Sequence, residues 1–225
     1  MAKAIKKSAL NSDQIQEAYI DYVLTNNEPP KSVYNFAKSL KISENEFYNH
    51  FASFSGIEKA IWTSLTITAI SKIKEQEIWA QYNSREKILS FFYSYVELLK
   101  TQRSFVVYSL KKYSKRLSTP DVLSAAREIF ENFAEEVITE GLESGELAER
   151  KHLSKRYKDA LWLQFAFIVK FWMEDDSVGF EKTDEAIEKG INLAFDLFQR
   201  SPIDHLFEYG KFLVQNGKLK EKMRI

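Results

Sequence analysis

Residues 32–54 read SVYNFAKSLKISENEFYNHFASF, and their spacing decides the fold. Val33, Phe36, Ala37 and Leu40 share one face of a helix about two turns long, with Ser32 placed as its N-cap and Pro29-Pro30 breaking the chain before it. Ser43 followed three residues later by Glu46 is a capping box, which opens another short helix carrying Phe47, Tyr48 and Phe51. Upstream, Ile15, Ala18, Tyr19, Tyr22 and Val23 fall on one face of a helix opening after Asn11 or Ser12. A supporting helix, a short helix, a tight turn and a second short helix make the arithmetic of a helix-turn-helix.

The apolar period of the rest of the chain is helical as well. One helix is expected from Ser53 to about Ala80, another from Ser84 to about Gln102, and a third from Ser104 to about Lys115. Thr119-Pro120 reads as an N-cap followed by proline at the first helical position, and that helix should stop at Gly141 or Gly145. Helices from about Ser154 to Glu174 and from Lys182 to Arg200 follow, then a short one through Ile203, Leu206, Phe207, Gly210 and Leu213 after Ser201-Pro202. The expectation is an all-α protein with a three-helix unit over residues 1–53, a basic N-terminal arm included, packed on a larger helical unit over residues 54–225.

Composition agrees. The 225 residues include only 7 Gly and 4 Pro, too few to turn an all-β sandwich, while 17 Phe, 11 Tyr and 4 Trp are too many for a disordered chain. With no cysteine there is no disulfide, no thiol catalysis and no Cys-built metal site. His50, His152 and His205 lie in no metal-ligand spacing, and neither a glycine-rich phosphate loop nor a nucleophile motif occurs, so no enzyme, cofactor or metal is expected. The opening MAKAIKKSALNSD has no apolar run to act as a signal peptide, and no stretch is long enough to span a membrane; a cytoplasmic protein is expected.

The wording of the helix-turn-helix resembles the TetR family of bacterial transcriptional regulators. That family's N-terminal unit runs alanine, three residues, glycine, an aliphatic residue and serine, then after three residues an apolar residue, tyrosine, any residue, histidine and phenylalanine. Ala37, Ile42, Ser43, Phe47, Tyr48, His50 and Phe51 fit, within a match covering about Asp13 to Trp62. Glu140 to Leu147 (EGLESGEL) is similar to a recurrent segment of the family's second domain. The resemblance implies a homodimer whose N-terminal units read duplex DNA and whose divergent second domain binds a small molecule that alters DNA affinity.

On that reading the DNA-facing residues are Lys3, Lys6 and Lys7 of the arm with Ser32, Ser43, Glu44, Asn45, Tyr48, Asn49 and His50. Tyr48 and His50 can each donate to a phosphate, whereas Phe47 and Phe51 are the aromatic core that three short helices need. The departures from the family weaken the grip on DNA. Where the recognition helix commonly opens with Lys or Arg, this chain has Glu44, Asn45 and Glu46, its turn glycine is Lys41, and the lysine heading the fourth helix is Phe54. Lys41 must then adopt a left-handed conformation at about 1 kcal/mol. From Asp13 to Trp62 four lysines face seven acids, a net charge of minus three, which leaves phosphate neutralisation to the N-terminal arm.

In the larger unit, eleven of the thirteen residues from Leu161 to Met173 are apolar, so that helix has no solvated face. One side should meet the core and the other a second subunit, with Ile187, Ile191, Ala194, Phe195 and Phe198 supplying a neighbouring stripe. Phe91, Phe92, Tyr95, Tyr108, Trp162 and Phe165 form either an ordinary aromatic core or the lining of an elongated apolar effector pocket. Lys170, inside the apolar helix, either reaches the surface, pairs with a buried acid, or anchors the ligand. Three functions remain open at this point: a ligand-responsive dimeric DNA-binding regulator, the same fold without DNA binding that holds an apolar molecule or lipid, and a dimeric interaction module with neither.

Overall fold

A computed structural model describes residues 10–111, 119–150, 153–199 and 209–213. Among them the helices are α1 (Ser12–Asn26), α2 (Val33–Ser39), α3 (Glu44–Tyr48), α4 (Phe54–Lys74), α5 (Ser84–Thr101), α6 (Arg103–Lys111), α7 (Ser124–Glu143), α8 (Tyr157–Glu174) and α9 (Glu181–Phe198). No strand occurs among the described residues, so the chain is all-α. The expected helix start at Ser104 is one residue late; the span from Lys112 to Lys115 lies outside the described residues, as do Ile203, Leu206 and Phe207, while residues 209–213, with Gly210 and Leu213 of the expected last helix, are helical.

Side chains write most of the boundaries. Asn11, Ser43 and Asn83 each make a full capping box with Gln14, Glu46 and Glu86, while Ser32 and Ser53 accept from the N–H of Asn35 and Gly56 at 3.1 Å each. Two expectations fail for identifiable reasons, and a third is narrowed to one of its alternatives. The fourth helix ends at Lys74 rather than near Ala80, because the chain turns there and lays Trp79 on the Phe133 ring, 6.1 Å between centroids. Thr119 caps nothing: its hydroxyl accepts from Trp162 Nε1 at 3.1 Å and from Arg127 at 3.3 Å, and a 3₁₀ turn over Asp121–Leu123 precedes α7. Of the two candidate stops for α7, Gly145 has the left-handed φ of 79°, while Gly141 lies within the helix where a Cβ would sit 2.5 Å from Ser84 Oγ and 2.8 Å from Leu147 Cγ.

α4 is the central helix, packed on α5 and α7; α8 lies against α7 and α9, α5 meets α9, and α1 touches both α4 and α6. One buried apolar core runs from Ile15 through Phe198. It is continuous at the expected division between the two units, where the Phe54 ring stacks on Tyr19 at 5.6 Å and meets Phe36 edge-on at 5.6 Å. Phe54 thus holds α1 and α2 against α4.

Candidate nucleic-acid interface

The geometry between α2 and α3 comes from backbone bonds. Ile42 N–H donates to the Ala37 carbonyl at 3.0 Å and Lys41 N–H to Lys38 at 3.1 Å, which is a Schellman turn with Lys41 in the left-handed position at φ 59°. The sequence demanded this conformation of a non-glycine residue, and the structure has it. Ser43 then starts α3: its hydroxyl accepts from Glu46 N–H at 3.2 Å, and Glu46 Oε2 accepts from Ser43 N–H at 2.7 Å. The Ser43 N–H, and after it the Ser43 hydroxyl, hold the Glu46 carboxyl below its ordinary pKa, against a small opposing contribution from burial. Glu46 therefore points back at the turn, which leaves Glu44 as the free acid at the head of α3.

Aromatic packing fixes the angle of this unit. Phe36 meets Tyr19, Tyr22 and Phe47 edge-on at 6.1, 6.1 and 6.2 Å, and Phe47 contacts Phe51 at 6.3 Å and Phe54 at 5.9 Å. With Phe36, Phe47 and Phe51 buried, the opposite side is polar: Ser32, Ser43, Glu44, Asn45, Tyr48, Asn49 and His50 are all exposed. Lys3, Lys6 and Lys7 lie outside the described residues. Tyr34 was missed. It is 56% exposed on α2 with the Lys38 ammonium 5.8 Å from its ring centre, and its one visible signal was an aromatic off the apolar stripe of Val33, Phe36, Ala37 and Leu40. Between residues 31 and 50, three lysines stand against two glutamates. The acids that make the longer segment negative lie elsewhere: Asp13, Glu17 and Asp21 on α1, Glu28 beyond its end, and Glu58 buried on α4.

The residues expected to line an effector pocket do not behave alike. Phe91, Phe92, Tyr95, Trp162 and Phe165 are buried and fill their shared space with one another, for example Tyr95 to Phe165 at 5.0 Å, Trp162 to Phe165 at 4.7 Å and Phe91 to Tyr95 at 5.4 Å. That is the spacing of close-packed aromatic pairs. Burial pushes the Tyr95 hydroxyl pKa up, so it stays protonated. Tyr108 is half-buried on α6. Its hydroxyl pKa is raised by burial and then by Glu58 and Glu28. Lys170 is a correction: it is exposed on the outer face of α8, because the helix turns Phe165, Ile168, Val169 and Trp172 inward and leaves position 170 outside. An open groove of about 560 Å³ lies elsewhere, bordered by Lys72, Gln76, Tyr82, Leu89 and Tyr93 among others.

The outer faces of α8 and α9 carry the apolar surface that the sequence places against a partner. Leu163 and Phe167 on α8 are 72% and 52% exposed, and Leu193 and Leu197 on α9 are 62% and 56% exposed. Each pair is four residues apart, so each forms a stripe along its helix. The two helices approach closely at Gly190, where a Cβ would fall 1.9 Å from Gln164 Nε2.

A helix-turn-helix with an exposed polar face, set on a larger helical body, defines the class of helical transcriptional regulators. The model of the tetracyclin repressor-like C-terminal domain matches residues 87–213, more than half of the chain, and the chain belongs to the TetR family. Among solved structures, a putative TetR family transcription regulator from Shewanella sp. PV-4 superposes with TM-score 0.59 at 14% identity, over 85% of this chain and 100% of that one. A protein of unknown function from Rhodococcus sp. RHA1 gives TM-score 0.59 at 12% identity, covering 88% of this chain and 100% of that chain. A bacterial regulatory protein in the TetR family from Rhodococcus RHA1 gives 0.51 at 15% identity, over 87% and 100%. No curated protein matches the sequence. Among the described residues, no helix is long and apolar enough to cross a membrane and no group of His, Cys, Asp and Glu could hold a metal.

Proposed function

We propose that the chain is a homodimeric DNA-binding transcriptional regulator that acts in the cytoplasm, with residues 1–53 as the reading unit and residues 54–225 as the dimerisation and effector unit. The observation that carries this is the surface left by the Schellman turn and the aromatic core of α1 to α4, where Ser32, Ser43, Asn45, Tyr48, Asn49 and His50 stand together in solvent. Hydroxyl, amide and imidazole groups on a short helix suit phosphates and base edges. Pairing through Leu163, Phe167, Leu193 and Leu197 would place two reading units about a twofold, as successive major grooves roughly 34–36 Å apart require. Lys3, Lys6 and Lys7 would add the phosphate contacts that the acidic balance of residues 13–62 withholds.

An apolar effector in the larger unit belongs to the same proposal. To enter among Phe91, Phe92, Tyr95, Trp162 and Phe165 it has to part rings that now touch, so binding there would be coupled to a rearrangement of α5 and α8. The family membership supports an effector; the packed rings favour one that opens its own site.

One second reading has its own support. Glu44 is exposed at the head of α3 and Phe54 has replaced a DNA-facing lysine with a core ring, as in a chain that keeps the fold and binds only an apolar molecule or lipid. Selection of bound sequences from random duplexes at low salt separates the two. An enriched twofold-symmetric sequence supports the regulator, and failure to enrich any sequence favours the second reading.

A further inference from the structure

One face of α5 belongs neither to the core nor to the apolar stripes of α8 and α9. Glu86, Ser90, Tyr93 and Glu97 follow one another at spacings of four, three and four, so acid, hydroxyl, ring and acid stand in one line along the helix. At about 1.5 Å per residue the two acids are about 16 Å apart. The line borders the open groove of about 560 Å³, where Leu89 and Tyr82 add apolar surface and Lys72 and Gln76 come from α4. Phe91 and Tyr95 of the same helix point the other way, into the core.

The polar groups of the line keep bonding capacity. Glu86 Oε2 accepts from the Asn83 N–H at 2.9 Å and Glu97 Oε1 from Lys100, so each carboxylate retains an oxygen without a bond. Among the described residues the Tyr82, Ser90, Tyr93 and Ser94 hydroxyls have no hydrogen-bond partner. Negative charge gathers here from α9 as well: burial first, then the charges of Glu188 and Asp184, raise the Tyr93 hydroxyl pKa. The Asp184 carboxyl is raised in turn by burial, opposed by Lys100 and reinforced by Glu97. Glu86, Glu97, Asp184 and Glu188 thus stand against Lys72 and Lys100, in a chain whose net charge is zero.

We propose that this face of α5 binds a linear aliphatic polyamine, laid along the groove with one terminal ammonium at Glu86, the other at Glu97, and its methylene chain across Leu89 and the Tyr93 ring. Carboxylates so far apart cannot share one metal ion or one compact cation, whereas a chain with a charge at each end meets both. An inner ammonium lies against the Tyr93 ring and donates to the Ser90 hydroxyl. Each exposed ion pair is worth little alone, and the affinity comes from joining several in one molecule. The site is separate from the packed rings where an apolar effector would enter, and it does not depend on DNA binding.

Calorimetric titration of the full chain at low salt, without DNA, tests this with spermine and with the short diamine putrescine. One spermine per chain is expected, bound at least about tenfold more tightly than putrescine, which reaches only one of the two acids. Glu97→Gln removes a charge, and Glu86→Gln does so while keeping an acceptor for the capping box; each should weaken spermine by about tenfold. Lys72→Ala should tighten spermine by about threefold, a gain that a damaged fold does not give. Glu128→Gln, at an exposed acid on α7, is the control and should leave the affinity unchanged. The proposal is overturned if the wild type shows no saturable binding of spermine, if the two amines bind equally, or if Glu128→Gln weakens spermine as much as Glu97→Gln does. Tighter binding of a lysine-rich amphipathic peptide than of spermine, lost in Glu97→Gln, would assign the face to a protein partner and overturn it as well.

Discussion

Glu46 bonds back to Ser43 across the first turn of α3, its carboxylate 2.7 Å from the Ser43 N–H, and so this acid is engaged with the turn that starts its own helix. The box predicts a pH effect. Because the folded pKa of Glu46 is lowered, its contribution is complete above the unfolded value near 4.3 and is lost as pH falls through the folded value. Ser43→Ala should cost about 1 kcal/mol of stability at neutral pH and flatten that acid-side decline, measured by thermal unfolding between pH 3 and 7.

Glu44 has no such engagement among the described residues and stands exposed at the start of α3. Glu44→Lys should tighten affinity for random duplex at low salt and steepen the slope of log K against log salt by about 0.9. Glu46→Gln, which keeps an acceptor for the Ser43 N–H, should change affinity less. Equal effects from the two would mean that the box opens on DNA.

Phe167 and Leu193 lie exposed on neighbouring helices, so a charge at either should weaken pairing. Phe167→Glu and Leu193→Glu are expected to sediment as folded monomers at micromolar concentration where the wild type is dimeric. A stable interface should bury at least about 1,000 Å² in total. A wild-type monomer would remove the twofold from the account.

Gly141 is fixed by space. A methyl group there meets Leu147 and Ser84, so Gly141→Ala should destabilise by about 1–3 kcal/mol despite the better helix propensity of alanine. Gly145→Ala meets no atom within 4 Å, and its smaller loss would come from the left-handed backbone alone.

Much of this was legible because it is local. Capping boxes span four residues, and Ser43 with Glu46 is visible in the sequence as it stands in the structure. Lys41 was legible for the same reason, since a tight turn admits few conformations. What failed depends on neighbours distant in the chain. Thr119 looks like a cap until Trp162, 43 positions away, takes its hydroxyl. Lys170 kept three readings open because the segment around it is apolar throughout; the one in which it reaches the surface holds, on a face where Leu163 and Phe167 are exposed as well. Glu58 gave no signal: a glutamate in an apolar helix is ordinarily solvated, and its partners on α1 and α6 lie 39 and 51 positions away.

The most direct test is a titration of the wild-type protein onto random-sequence duplex DNA at about 50 and 200 mM salt. The account predicts saturable binding at the lower concentration that falls by at least about tenfold at the higher one, because a few lysines per reading unit displace counterions. No binding at the lower salt, from a protein shown to be folded and dimeric, would contradict it.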